Sequence, residues 1–517
     1  MKLVLLFAAV MAALLLNGAA SEADTLQSRG AYLARAADCI ACHTLPGGKP
    51  FAGGFRLTTP LGSIYSDNIT PDKETGIGNE TLADFERALR RGIARDGHQL
   101  YPAMPYPSYA KLTDQDVEAL YGFFMKEVTS VRQEKRPNDI PWPLDMRWPL
   151  AIWNALFLDT SSYRPRSDHN AEWNRGAYLV EGAGHCGACH TPRGVAWNEQ
   201  ALDDGSPLYL SGGVLDFWSA PNLREDLGAG LGRWSTAELV EFLKTGHNRE
   251  GTAFGSMVFV VRDSTPYLSD ADLEAIAAYL KSLPPSNPSE ARYAYDDATV
   301  KALHSGGISG NGELVYLGRC ASCHGDDGRG KAPDVPPLAG NPTVLDADPA
   351  SLVNIVLNGA SPSATVEGTR DPQRMPEFRT QLSDERIAEV VSFIRGSWGN
   401  RGAAIPPAQV GAARRGTSSD QIVQGSPQRG ASLVARLGCG ACHAIPGIAN
   451  ADGLVGPPLD NIGSRTIIAG LLANTPRNMV SWLKSPQSIL PGNAMPNIGL
   501  TDRDAGDIAI YLDTLRE

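Results

Sequence analysis

No cysteine of this 517-residue chain stands alone: all eight fall inside four copies of the pentapeptide Cys-X-X-Cys-His. None is left over for a structural disulfide or a catalytic thiol. A surplus of basic charge is missing too. The 57 acidic side chains outweigh the 46 Lys and Arg, for a net charge of −11, which argues against a nucleic-acid partner. Such a surface can steer a basic partner without identifying one. After the first sixteen residues no apolar run is long enough to cross a bilayer. The chain also lacks a flavin or nicotinamide fingerprint and any molybdenum or quinoprotein motif. Nothing in it reads as a substrate site.

What is present is the repeated motif. It occurs as Cys39-Ile-Ala-Cys42-His43, Cys186-Gly-Ala-Cys189-His190, Cys320-Ala-Ser-Cys323-His324 and Cys439-Gly-Ala-Cys442-His443. This is the attachment site for c-type haem: two thiols bond to the porphyrin edge, and the next His is placed to bind the iron. One copy could be a redox dithiol or half a zinc site. Four copies with no spare cysteine read instead as four covalently bound c-type haems. Modest aromatic content (7%) with 54 Gly and 37 Pro agrees, because haem fills much of a small cytochrome core and loops wrap its edge.

The first residues say where haem would be attached. Met1-Lys2, an apolar run from Leu3 to Leu16 and small residues up to Ser21 mark a cleaved export leader. It is expected over residues 1–20, with cleavage after Ala20 or Ala23. The expected location is the periplasm, soluble or peripheral to the cytoplasmic membrane.

Each motif sits in the same local pattern. Upstream lies a short helix signal: Arg29-Gly30-Ala31-Tyr32, Arg175-Gly176-Ala177-Tyr178, Asn311-Gly312-Glu313-Leu314 and Arg429-Gly430-Ala431-Ser432. Downstream each unit ends in a capped helix, opened by Thr113-Asp114, Ser269-Asp270, Ser383-Asp384 and Thr501-Asp502. These last helices carry Tyr121, Tyr279, Phe393 and Tyr511. An aromatic facing a glycine resembles the helix crossing of a class I cytochrome c. The expected fold is therefore all-α, with four such domains in tandem over residues 24–165, 166–290, 297–400 and 429–517. Residues 401–428, rich in Gly, Ala, Ser, Pro and Gln, read as a flexible linker.

The second axial ligand decides between electron transfer and ligand chemistry, since His and Met together leave the iron no free position. The chain has only nine Met, yet each unit has one in a Gly- or Pro-containing loop before its last helix. They are Met104, Met257, Met375 and Met495. The commoner role of Met is core packing, and Met125 and Met146 are read that way. Met479 competes with Met495 but falls in a helical pattern. Of the remaining histidines, His98 is read as a surface or hydrogen-bonded group, with an alternative ligand or propionate partner as the competing role. His185, His169, His247 and His304 are read as surface or hydrogen-bonded groups. The other ring nitrogen of each motif His needs an acceptor. Backbone carbonyls just before the Asn-Leu or Pro-Leu turns of Ala220-Pro221-Asn222-Leu223, Val335-Pro336-Pro337-Leu338 and Gly456-Pro457-Pro458-Leu459 are candidates, with Ser66-Asp67-Asn68-Ile69 as the divergent fourth.

Tyr101-Pro-Ala-Met-Pro-Tyr-Pro-Ser-Tyr109, the run from Trp173 to Arg193 and Phe393-Ile-Arg-Gly-Ser-Trp-Gly-Asn400 resemble the trihaem cytochrome c subunit of bacterial membrane-bound dehydrogenases. The resemblance covers about residues 25–400. It implies His43 with Met104, His190 with Met257 and His324 with Met375 as axial pairs. The fourth motif adds His443 with Met495. It also implies a catalytic dehydrogenase subunit as electron donor, with peripheral membrane association through a partner. The acceptor is a quinone, a cytochrome or a terminal oxidase. The segment from Gly456 to Met495 is similar to a cytochrome c domain fused to the copper subunit of some terminal oxidases. That is a departure from the trihaem pattern. The competing reading is a haem enzyme with an open iron, a peroxidase or sulfur-compound oxidase.

Overall fold

A computed structural model of the chain describes residues 29–45, 48–59, 62–215, 218–307, 310–360, 375–416, 427–465, 467–474 and 476–515. The expected leader lies outside them. The chain divides into two compact units. One holds the residues up to 353 with 360–375 and 386–406; the other holds 354–359, 376–385 and 407–517.

In the first unit a short helix precedes each haem motif: residues 29–36, Ala171–Tyr178 and Asn311–Arg319. A tight turn then carries the motif itself, as Cys39–His43, Gly187–His190 and Ala321–His324. Thirteen-residue helices follow farther along at Asp114–Lys126, Asp270–Ser282 and Asp384–Gly396. Thr113 and Ser269 cap two of them by accepting from the backbone N–H of Asp116 and Asp272. The second unit repeats the arrangement with Pro427–Arg436, Cys439–Ala441 and Asp502–Asp513, the last capped by Thr501.

First and last helices cross at the glycine. A Cβ on Gly176 would lie 1.9 Å from the Ala275 carbonyl oxygen and 2.8 Å from Cβ of Tyr279. Gly312 meets Glu389 and Phe393 in the same way, and Gly430 meets Asp507 and Tyr511. Any side chain would push the helices apart, because no atom can sit 2 Å from a carbonyl oxygen. At the first crossing the partner differs from expectation. Gly30 meets Ala119 and Phe123, not Tyr121. The facing residues are always four apart, one helical turn, and Tyr121 lies off that row. Its hydroxyl donates instead to the Glu80 carbonyl at 2.8 Å.

The fold is mainly helical but not purely so. Among the described residues are four short antiparallel pairs: Arg56–Thr59 with Gly62–Tyr65, Gly213–Leu215 with Trp218–Ala220, His443–Ala444 with Asp452–Leu454, and Ile467–Ile468 with Leu472–Ala473. They are two to four residues long and belong to the loops between helices. The linker reading is also corrected in part. Pro407–Gly416 is a helix with Val410 and Ala413 buried on one face. Arg414 ties it to Asp384 at 2.7 Å and to the Leu382 carbonyl at 3.0 Å. Its composition hid an apolar pair at helical spacing. Residues 417–426 lie outside the described set.

Within the first unit, the first two haem-motif regions share one core, including Leu33, Leu120, Phe124, Leu179, Leu273 and Tyr279. They also exchange hydrogen bonds. Arg29 pairs with Asp116, and Arg175 pairs with Asp272 at 2.7 Å, each within its own region. Tyr32, three residues after Arg29, donates to Asp272 at 2.5 Å, while Tyr178, three residues after Arg175, donates to Asp116. Each carboxylate thus receives an Arg from its own side and a Tyr from the other. Burial alone would raise the Asp272 pKa, but hydrogen bonds from Arg175 and Tyr32 hold it below the usual carboxylate range.

Two expectations follow. Gly176→Ala should destabilise the holoprotein by about 1–3 kcal/mol through overpacking, read as a lower melting temperature. The depressed pKa of Asp272 means its stabilisation is present above the ordinary carboxylate pKa and lost as pH falls through the folded value. Asp272→Asn should therefore lower stability near neutral pH by about 1–3 kcal/mol. The difference from wild type should shrink in denaturant melts as pH falls below the ordinary carboxylate range.

Candidate haem sites

The four motif histidines adopt one geometry. His43 Nδ1 lies 2.7 Å from the Asp67 carbonyl oxygen, and His190 Nδ1 lies 2.7 Å from that of Pro221. His324 Nδ1 lies 3.1 Å from the Pro336 carbonyl, and His443 Nδ1 lies 2.7 Å from the Pro457 carbonyl. A carbonyl oxygen can only accept, so Nδ1 carries the proton in each ring. Nε2 is then the nitrogen with a free lone pair, directed away from the backbone and competent to bind a metal. All four acceptors are those expected from the sequence, including Asp67, where the Pro of the other three is absent.

The surroundings favour the ligating form. Burial lowers the pKa of His43, His190 and His324, keeping these imidazoles neutral. The same desolvation pushes the thiols of Cys39, Cys42 and Cys186 up to about 12 and that of Cys320 up to about 11. All eight cysteines are unbridged. At the fourth motif the backbone itself cradles the ring: a Cβ on Gly456 would lie 2.3 to 2.9 Å from three atoms of the His443 imidazole. Two unbridged cysteines beside an imidazole whose Nε2 is oriented away from the backbone fit a c-type haem, and at the fourth motif a glycine lies against the ring.

The Met candidates are placed less uniformly. Met104 is partly buried against the shared core, in the turn before the helix Tyr106–Tyr109. Met257 opens the short helix Met257–Phe259, so it is not in an open loop as expected. Met375 bridges Ala360 through backbone bonds of 2.9 and 3.2 Å. Met495 is partly buried against the second unit's core, and its loop is held by Asn493 and Gln487. Met479 is buried in the helix Pro476–Lys484, as core. Met125 packs on the core, but Met146, expected to pack, is exposed.

Four of the other histidines have local side-chain partners, whereas His247, expected at the surface or hydrogen-bonded, buries Nδ1 without one and bonds Thr245 only through its backbone. His98 Nδ1 sits 2.5 Å from Asp96, His304 pairs with Asp326, and His169 stacks on Trp173 at 3.7 Å. His185 Nδ1 bonds the Ala183 carbonyl at 2.9 Å, and its ring lies 5.6 Å from that of Tyr109. The buried Tyr109 hydroxyl donates in turn to the Ala37 carbonyl at 3.0 Å. One tyrosine thus joins the residue before Cys186 to the turn before Cys39. Cys189 is also near enough to Cys42 to raise its pKa. The first two sites are neighbours, which spacing along the chain did not reveal.

Comparison with known proteins agrees with this geometry. The cytochrome c family matches residues 27–126, 174–284 and 427–516, and the family of cbb3-type cytochrome c oxidase subunit III matches residues 310–394. Over 408 residues the chain is 48% identical to the gluconate 2-dehydrogenase cytochrome c subunit of Pantoea cypripedii, covering 78% of this chain and 92% of that one. The chain belongs to the family of dehydrogenase cytochrome c subunits. It is also 49% identical over 392 residues to the cytochrome c subunit of the quinone alcohol dehydrogenase of Gluconacetobacter polyoxogenes, covering 74% and 82% of the two chains. A stretch of 79 residues is 37% identical to cytochrome c oxidase subunit 2 of Alkalihalophilus pseudofirmus, covering 15% and 22%.

The Gly456 contact yields a direct check on this dehydrogenase cytochrome. Gly456→Ala should tilt or displace His443 and convert that one site from low to high spin. Electron paramagnetic resonance of the ferric protein should show a high-spin signal absent from wild type, with the other sites unchanged.

Proposed function

We propose that this chain is a periplasmic tetrahaem c-type cytochrome, with one haem in each of four domains over residues 24–165, 166–290, 297–400 and 429–517. It is the electron-transfer subunit of a dehydrogenase complex and carries electrons from a catalytic subunit to the respiratory chain. The observation that carries this reading is the fourfold repetition of a motif His whose Nδ1 is tied to a backbone carbonyl. The matched family intervals support it, because each contains one Cys-X-X-Cys-His.

The axial pairs proposed are His43 with Met104, His190 with Met257, His324 with Met375 and His443 with Met495. Bound haem would supply a one-electron couple at each site. The chain's own residues hold each imidazole in one tautomer and one orientation, with His324 buried and the other three half-buried. A fixed ligand set lowers the rearrangement that accompanies electron gain and loss. The catalytic oxidation belongs to the partner, since this subunit is not catalytic on its own. Relatives serve gluconate and alcohol dehydrogenases, the latter named for quinone. A quinone at the respiratory membrane is accordingly the proposed acceptor of the first three haems. The fourth haem is a further outlet to a cytochrome or oxidase.

The haem-enzyme reading gains no support from the relatives, which are cytochrome subunits. The test is haem content and coordination together. Intact mass and the pyridine haemochrome should give four haems per mature polypeptide. Ferrous protein should bind carbon monoxide poorly, and the ferric spectrum should carry the weak sulfur-to-iron band at its red end. Three haems, or a rapid stoichiometric carbon monoxide complex at one of them, would refute this assignment.

A further inference from the structure

One surface helix of the first unit is built inside out. In Pro149–Phe157, the only polar residue, Asn154, points inward. It accepts from the Tyr106 hydroxyl at 2.7 Å and donates to Gln99 at 2.9 Å and the Arg91 carbonyl at 3.3 Å. Trp153 is turned inward beside it, donating to the Ala196 carbonyl at 2.9 Å. The outer face consists of Pro149, Ala151, Ile152, Ala155 and Leu156, with no polar atom beyond the backbone. An ordinary surface helix has the opposite polarity.

The exposed face continues into the preceding segment. Trp142 is 79% exposed, Trp148 64%, Ile152 55% and Leu156 70%, with Leu144 at 47%. Trp148, Ile152 and Leu156 follow one another at four-residue spacing and form a single ridge. Asp145 and Arg147 are the only ionisable groups in the lead-in from Trp142, and none occurs from Trp148 to Leu158. The Arg147 guanidinium is turned onto the Tyr101 ring at 3.7 Å. Tyr101 and Tyr106, which anchor the ridge, flank Met104. The ridge therefore lies over the candidate ligand loop of the first haem.

We infer that this ridge, Trp142 to Leu156, seats the protein on a lipid surface and so brings the first haem against the bilayer. Exposed apolar area of this kind marks a contact surface. Tryptophan among aliphatic side chains suits the boundary between headgroups and acyl chains, where the ring is apolar and its N–H stays wet. A protein partner would ordinarily meet a polar rim with hydrogen-bonding side chains around such a core, and this helix offers none on its outer face. The inference rests on the reading that the acceptor is a membrane-dissolved quinone. Attachment then comes from this chain itself and not only through a partner. No helix among the described residues is long and apolar enough to cross a membrane, so the contact proposed is peripheral.

Vesicle binding by the full haem-loaded protein tests this without any electron transfer, so it can fail while the haem content and the reduction by the catalytic subunit hold. Wild type should co-sediment with zwitterionic phosphatidylcholine vesicles equally at low and high salt. The variant Trp148→Ser/Ile152→Ser/Leu156→Ser should lose roughly a hundredfold in partitioning. Trp142→Ser/Leu144→Ser, outside the helix, should lose less but measurably, with unchanged haem spectra. No binding by wild type, equal binding by the variants, or binding abolished by salt would overturn the proposal. So would variants that keep vesicle binding but no longer co-purify with the catalytic subunit, which would make the ridge a protein interface.

Discussion

Everything in this chain hangs on a near-contact between a glycine Cα and the carbonyl oxygen of a crossing helix. At Gly30, Gly176, Gly312 and Gly430 the space for a methyl group is already taken by backbone. That closeness sets the distance between first and last helices. The motif turn leaves directly from the end of the first helix, so its position is set by the same contact. A short loop farther on then presents a carbonyl to the motif imidazole. Packing of the most ordinary kind thus fixes which nitrogen of each His is free, and the free nitrogen is the chemistry.

The first two haem-motif regions add a second level. Tyr32 and Tyr178 reach across to Asp272 and Asp116, and Tyr109 spans the two motif turns. A buried carboxylate shared by an Arg from one side and a Tyr from the other is costly to separate, because separation strands a charge. The two sites are therefore held as a pair. The fourth region has the Arg429 pairing with Asp504 and Asp507, but Ser432 stands where Tyr is in the first two.

The haem motifs, their carbonyl acceptors and three of four helix crossings were legible in the sequence because each is a local spacing. The first crossing was misread because Tyr121-Gly122-Phe123-Phe124 offers three aromatics in four residues, and only the phase of the helix selects Phe123. The helix at Pro407–Gly416 was taken for linker because its composition is small and polar, yet it buries Val410 and Ala413 and is tied down by Arg414. The Tyr–Asp exchange joins residues 62 and 240 positions apart. Its signal was nonetheless present: Arg-Gly-Ala-Tyr occurs twice, each paired with a Ser/Thr-Asp-X-Asp cap. The outward face of Pro149–Phe157 could not be read at all, since an apolar nine-residue segment looks like core until its surroundings are known.

The measurement that bears most directly on the account is an anaerobic count of electrons. With the catalytic dehydrogenase subunit and its substrate present, and no acceptor, the chain should take up four electron equivalents per polypeptide at the haem bands. The chain alone with the same substrate should take up none. Uptake of three or fewer at full reduction, or any reduction without the catalytic subunit, would contradict a four-haem relay that depends on a partner for its electrons.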